Sequence, residues 1–131
     1  MRSLAIPSSL GDTADRITIL TIKSERMRDP EKLANVRKEL AEISGVFFAA
    51  VERTPGFDAL FERLKTVNEQ LWEIEDAIRA CEARSDFGPD FIRLARSVYQ
   101  TNDLRAAIKR EINMLLGSDL VEEKSYAGEA R

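Results

Sequence analysis

The chain contains no histidine. That removes the commonest general base and the commonest metal ligand together, so any catalysis would have to run on carboxylates, lysine, arginine, tyrosine or hydroxyls. Cysteine occurs once, at Cys81; no intrachain disulfide can form, and nothing points to an oxidising compartment. No uninterrupted run of about eighteen apolar residues exists. The opening Met1-Arg2-Ser3-Leu4-Ala5-Ile6-Pro7 carries too short an apolar stretch for a signal peptide. The expected location is therefore cytoplasmic, with no membrane partner. A glycine-rich phosphate loop, a Ser/His/Asp set and a metal-ligand cluster are all missing, so neither a cofactor nor a metal is expected. The net charge is −3 and the pI about 5.2, which gives no overall pull toward nucleic acid or anionic lipid.

What is present is helical patterning. The 131 residues are 44% hydrophobic and 33% charged, too apolar for a disordered chain and rich enough in charge to coat the outside of well-patterned helices. A single all-α domain over residues 1–131 is expected: an antiparallel bundle of about four helices, with mobile ends at 1–8 and 127–131. The four prolines, Pro7, Pro30, Pro55 and Pro89, each stand just before or at the start of a helical pattern, where a missing N–H is harmless.

The first helix is expected over Leu10–Arg28, capped by Ser9 with Asp12 three residues on. Its β-branched middle, Ile17-Thr18-Ile19-Leu20-Thr21-Ile22, also fits a strand, but Ala14, Ile17 and Leu20 continue a helical stripe and a lone strand would lack a partner. Asp29-Pro30-Glu31 opens a second helix, whose stripe of Leu33, Val36, Leu40, Ile43 and Phe47 continues past Gly45 to about Arg53. The third holds Phe57, Leu60, Leu64, Val67, Leu71, Ile74, Ile78 and Cys81 at alternating spacings of three and four. The fourth carries Phe91, Leu94, Val98, Ile108, Ile112 and Leu115. Thr101-Asn102-Asp103 interrupts that stripe and suggests a kink or a re-cap. Gly117 is a natural stop, and Ser118 a possible cap for a short docked tail helix. Residues 54–86 hold eight acids against four bases, and residues 87–116 three against five; opposite signs on adjacent helices are what a hairpin would use to set its pairing.

Candidate chemistry is sparse. Glu39-x-x-Glu42 with Glu73-x-x-Asp76 loosely resembles the Mg²⁺ site of helical nucleoside-triphosphate pyrophosphohydrolases, but Asp76 would lie opposite the core face of its helix. Arg16, Lys23 and Arg26 form a basic column, read most simply as a salt-bridged outer face beside Asp12 and Asp15. Asn68 and Trp72 flank the third helix's seam, where a lone tryptophan packs under a neighbour or anchors a binding surface. Arg93, Arg96, Tyr99, Asn102, Asp103 and Arg105 of the fourth helix are able to bind phosphate or carboxylate, or to pair with the acidic third helix.

Several runs together are similar to a bacterial family of small all-helical proteins of unknown function. They are Leu10-Gly11-Asp12, Asp15-Arg16-Ile17-Thr18-Ile19-Leu20, Ile22-Lys23 with Arg26, and Lys32-Leu33-Ala34-Asn35-Val36. Val67-Asn68 with Leu71-Trp72-Glu73-Ile74-Glu75-Asp76, Leu94-Ala95-Arg96-Ser97-Val98-Tyr99 with Asn102-Asp103, Ile108-Lys109-Arg110, and Glu122-Glu123-Lys124-Ser125-Tyr126 follow. The resemblance spans about residues 6–126. It implies a genomic setting near glycosyltransferase and tetratricopeptide segments, hence surface-glycan metabolism, and it assigns no catalytic residue. It marks Lys23, Arg26, Asn68, Trp72, Arg96, Tyr99, Asn102 and Asp103 as matching the family's recurrent pattern; Asp12 stands where glutamate is expected.

Two functions follow as expectations. One is a non-enzymatic interaction or assembly module, binding itself as a homodimer through its regular heptads or binding another protein. The other is a binder of, or an enzyme acting on, an anionic phosphate-bearing small molecule such as a nucleotide sugar. There Lys23, Arg26, Arg96 and Tyr99 would clamp the anion, with Asn68 and Asp103 orienting it.

Overall fold

The computed structural model describes residues 2–129; Met1, Ala130 and Arg131, to which the expectation of mobile ends extends, lie outside them. Four helices follow one another: α1 (Leu10–Arg26), α2 (Pro30–Ala50), α3 (Pro55–Ala83) and α4 (Pro89–Leu116). Every start carries a local signal. The Ser9 hydroxyl accepts from the Asp12 amide, the Asp29 carboxylate from Glu31, and the Thr54 hydroxyl from Phe57. Proline opens α2, α3 and α4. Gly117 closes α4 in the left-handed region at φ 65°, a conformation that L side chains resist.

The β-branched stretch Ile17–Ile22 is helical, because its stripe is buried on both flanks: Ala14, Ile17 and Leu20 on one, Thr18 and Ile22 on the other. Four local expectations need correction. α1 stops at Arg26 rather than Arg28, because Asp29-Pro30 already claims the next cap and disfavours helix before it. α2 stops at Ala50 rather than Arg53, where Val51 turns extended and buries itself. α4 passes through Thr101-Asn102-Asp103 as one helix with no re-capping; Asn102 spends its amide oxygen on the Arg105 side chain rather than on a backbone N–H. Ser118 starts no tail helix, since its hydroxyl donates to the Leu120 carbonyl and accepts from the Leu10 amide.

α1 is the common element. It packs against each of the other three, whereas α2 lies along α1 and meets α3 only at its C-terminal end. There Phe47 and Phe48 of α2 interlock with Phe57 and Phe61 of α3, with ring centroids 5.1 to 6.2 Å apart, and Arg53 covers Phe48 at 4.9 Å. Ala14, Ile17, Leu64, Val67, Ile108 and Ile112 complete the core.

The ion pairs and hydrogen bonds between α1 and α3 fall between Lys65 and Glu73 of α3. Asp15 and Thr18 meet Asn68, while Glu25 meets Lys65. Arg26, next to Glu25, reaches Glu69 and Glu73, so the contacted stretch of α3 is about 12 Å long. Against α4, α1 runs antiparallel: Gly11 meets Asn113, Asp12 meets Lys109 and Asp15 meets Arg105. The consequence is a long arm. Between residues 70 and 100 of the α3–α4 hairpin, Cys81 alone is buried.

The charge asymmetry of α3 and α4 does not set their pairing as expected. Among the described residues the single ion pair between them is Arg63–Glu111, with the base on α3 and the acid on α4. Arg79 and Arg93 instead pair within their own helices.

Candidate functional site

Where α1 crosses the hairpin, a polar layer replaces the apolar core. Gly11, Asp15, Thr18 and Ile22 form one buried stripe of α1 at spacings of four, three and four, and Asp15 on it is only 5% exposed. Arg105 of α4 grips that carboxylate with two groups: Nε donates to Oδ1 at 2.9 Å and Nη2 to Oδ2. Asn68 of α3 donates from Nδ2 to both Asp15 Oδ1 and Thr18 Oγ1, each at 2.9 Å. Thr18 in turn donates to the Asp15 carbonyl at 2.7 Å, and Arg105 Nη1 donates to Asn102 Oδ1 at 3.3 Å. Among the described residues no buried side-chain nitrogen or oxygen lacks a partner. Both Asp15 oxygens accept from donors, so the carboxylate holds the Arg105 guanidinium in place. The hydrogen bond to Asp15 holds the Arg105 guanidinium charged more firmly than usual, outweighing its partial burial.

One turn further along, Asp12 meets Lys109 at 2.8 Å. Burial opposes ionisation of Asp12, but the Lys109 ammonium and the Ser9 hydroxyl hold its carboxyl below the usual value. Burial likewise opposes the charge on Lys109, and Asp12, Asp15 and Glu122 together keep its ammonium above the ordinary lysine value.

Cavities lie on both sides of Arg105. One of about 380 Å³ opens between α1 and α3 over Ile19, Ile22, Leu71 and Trp72, with Glu75, Asp76 and Arg79 at its rim. The other, of about 400 Å³, opens between α4 and residues 124–126, over Tyr99, Asn102, Asp103, Lys109, Lys124 and Tyr126.

The residues singled out from sequence divide among these places. Arg26 pairs with Glu69 and Glu73 and lies 6.0 Å from the Trp72 ring centroid; Trp72 and Asn68 line the α1–α3 cavity. Tyr99, Asn102 and Asp103 line the other. Arg96 stands apart on α4, beside Pro89, Ile92, Arg93 and Gln100. Lys23 is half-buried and makes no ion pair among the described residues. Arg26, Arg96 and Tyr99 therefore do not form one clamp.

At residue 15 the sequence suggests an outer-face charge, and the structure corrects this: Asp15 is the centre of the network. Lys109 and Thr18 stand in runs that carry the resemblance, but sequence reasoning gives neither a role in a site. Arg105 joins the two groups that it does single out, because it borders both cavities. A signal exists. Phe91, Leu94, Val98, Thr101, Arg105, Ile108 and Ile112 continue one three–four progression, in which Arg105 occupies a seam position.

The carboxylate pairs are spent elsewhere, with Glu39 on Arg16 and Glu73 on Arg26. Among the described residues no group of three or more His, Cys, Asp or Glu is placed to hold a metal ion, and no helix is long and apolar enough to cross a membrane.

The polar layer draws on residues 15 to 105, and a family model covers that whole span and more. The model is described as a family of unknown function (DUF6165) and matches residues 4–130. The chain belongs to this family. Neither a curated protein nor a solved structure matches it. Membership of DUF6165 thus covers the helical body, the polar layer and the docked segment after α4 as one unit.

Proposed function

We propose that the protein is a helical assembly module that pairs with a second copy of itself through the outer half of the α3–α4 hairpin. The observation that carries this reading is the state of that arm. Its seam residues Ile74, Ile78, Phe91, Leu94 and Val98 are only half-covered, and Phe87 and Ile92 are 52% and 54% exposed. Two antiparallel helices leave one side of their seam open, and two such hairpins close each other into a four-helix bundle.

Charge selects a second copy as the occupant. On the arm, Glu75 pairs with Arg79 and Arg93 with Asp90, which leaves Asp76 and Glu82 as the acids of the α3 side and Arg96 as the base of the α4 side. Neither set is neutralised by the other helix of its own hairpin. In a two-fold dimer with α3 of one copy against α4 of the next, both sets meet their complement twice. An accessory role in surface-glycan metabolism belongs to this proposal on the strength of the family resemblance alone.

Sedimentation equilibrium across a range of concentrations tests it. Wild type is expected to be dimeric, and Phe87→Glu with Ile92→Glu, both at exposed positions, to be monomeric with unchanged helicity. Arg96→Glu should weaken the dimer and Glu82→Arg added to it should restore it. A wild type that stays monomeric, or a dimer indifferent to these changes, would overturn the proposal.

A further inference from the structure

The segment after α4 has no helix of its own, yet it is fastened to the body at several points. Ser118 bonds the Leu10 amide, Glu123 pairs with Arg110, and Glu122 reaches under the segment to α4. Glu122 Oε1 lies 3.3 Å from Lys109 Nζ and 3.4 Å from Lys124 Nζ. A carboxylate of the chain itself thus sits between two ammonium groups, one of them only 11% exposed, and both lysines line a cavity of about 400 Å³ together with Arg105 and one acid, Asp103.

We propose that this cleft between α4 and residues 122–126 binds a small phosphate monoester, which enters by replacing the Glu122 carboxylate between Lys109 and Lys124. Glu122 Oε1, which meets both ammonium groups, stands in for one phosphate oxygen. Three features favour the exchange. Lys109 and Arg105 are held in place from behind by Asp12 and Asp15, so the cationic groups are ordered before a ligand arrives, which lowers the entropy lost on binding. Arg105 has five N–H donors, of which three are committed to Asp15 and Asn102; two remain for an anion in the cavity it lines. A phosphate dianion brings more charge and more acceptor oxygens than the carboxylate it replaces.

The release of Glu122 disrupts no helix: the Ser118 amide donates to the Asn113 carbonyl at the end of α4, and beyond it Glu122 and Glu123 hold the segment to α4 through their side chains. Such segments open at low free energy. Withdrawal of Glu122 leaves Lys124 without its ion pair and Lys109 with Asp12 alone. Tyr99 and Tyr126, both about half-exposed, flank the opening and offer ring faces and hydroxyls to the organic part of the ligand. A volume of this size suits a ligand of sugar-phosphate dimensions rather than a nucleotide sugar.

The test is calorimetric titration with phenyl phosphate, with benzoate and phenol as the monoanionic and neutral controls, followed by amide chemical shifts. Phenyl phosphate is expected to bind more tightly than either control. Glu122→Gln should tighten it about fivefold, the factor that removal of a competing exposed ion pair supplies. Lys124→Met, at a half-exposed position that leaves the body intact, should weaken it by a similar factor. Lys109→Met should abolish it, but that variant also unpairs Asp12, so the Lys124 and Glu122 variants are the deciding ones. Shifts should concentrate at Glu122–Tyr126 and Tyr99–Lys109. No heat in either wild type or Glu122→Gln at millimolar phenyl phosphate overturns the proposal. So does binding that ignores both substitutions or maps to another face. The arm that pairs copies in the preceding proposal is tested by other variants, so each proposal fails on its own.

Discussion

Asp15 and Arg105 show what a charge does at a position patterned for packing. The Asp15 side chain is 7% exposed and that of Arg105 29%, so desolvation is large for the acid and partial for the base. Fixed Coulomb attraction and two parallel N–H···O contacts offset it, and Asn68 takes up a remaining lone pair. Arg105→Leu leaves Asp15 buried against Asn68 alone and is expected to lower stability by about 3 kcal/mol. Asp15→Leu with Arg105→Leu should recover most of that loss, because the uncompensated charge has gone; urea midpoints of the two single variants and the double variant check it. Equal losses in single and double variants would mean that the pair itself, rather than the orphaned charge, dominates. These residues are partly legible in the sequence. Asp15 lies beside Asp12 and Arg16, and local charge pairing draws it outward. Its stripe with Gly11, Thr18 and Ile22 is equally visible, but an acid on a buried stripe is recognised only when its partner is known. That partner is ninety residues away.

At the scale of elements, α1 and α4 approach so closely that Gly11 has no room for a side chain. A Cβ there would collide with the Lys109 carbonyl oxygen and lie 2.9 Å from Asn113 Oδ1, the atom that accepts from the Gly11 amide at 2.6 Å. The carbonyl belongs to a helix and cannot swing away. Gly11→Ala gains about 1 kcal/mol of helix propensity, and overpacking costs about 1 to 3 kcal/mol. Because the contact is with backbone, the second effect is expected to win, and thermal unfolding should show a lower midpoint; a higher one would show that the helices separate freely. The elements are the most legible level. Ser9, Asp29, the prolines and Gly117 each satisfy or terminate backbone groups within a few residues, so their effect is written locally. The ends that sequence misplaces, Arg26 and Ala50, are set by competition with the next cap and by burial of Val51, and the second of these depends on the tertiary fold.

On the scale of the whole molecule, three pieces of chain meet at Lys109: α1 through Asp12, α4 itself, and the segment carrying Glu122. The carboxyl of Asp12 ionises more readily when folded than its ordinary value of 3.8. Its contribution is therefore present above about pH 4 and is lost as the pH falls through the lower folded value. Wild type should lose stability below about pH 4 more steeply than Asp12→Asn, as read from urea midpoints at stepped pH; parallel curves would remove Asp12 from the acid transition. The place where α1 meets α3 is not legible, because a stripe at three–four spacing shows that a face is buried but not what buries it. A last consequence lies in the contact between the Leu10 amide and Ser118 Oγ at 3.0 Å. Residues 108 positions apart in the chain stand side by side, so a bridge of a few residues between 9 and 119 would close the helical body into a ring without stretching it. The exposed turns at 27–29 and 84–88 would then serve as new termini, and the order in which the helices are read along the chain is separable from the shape they make.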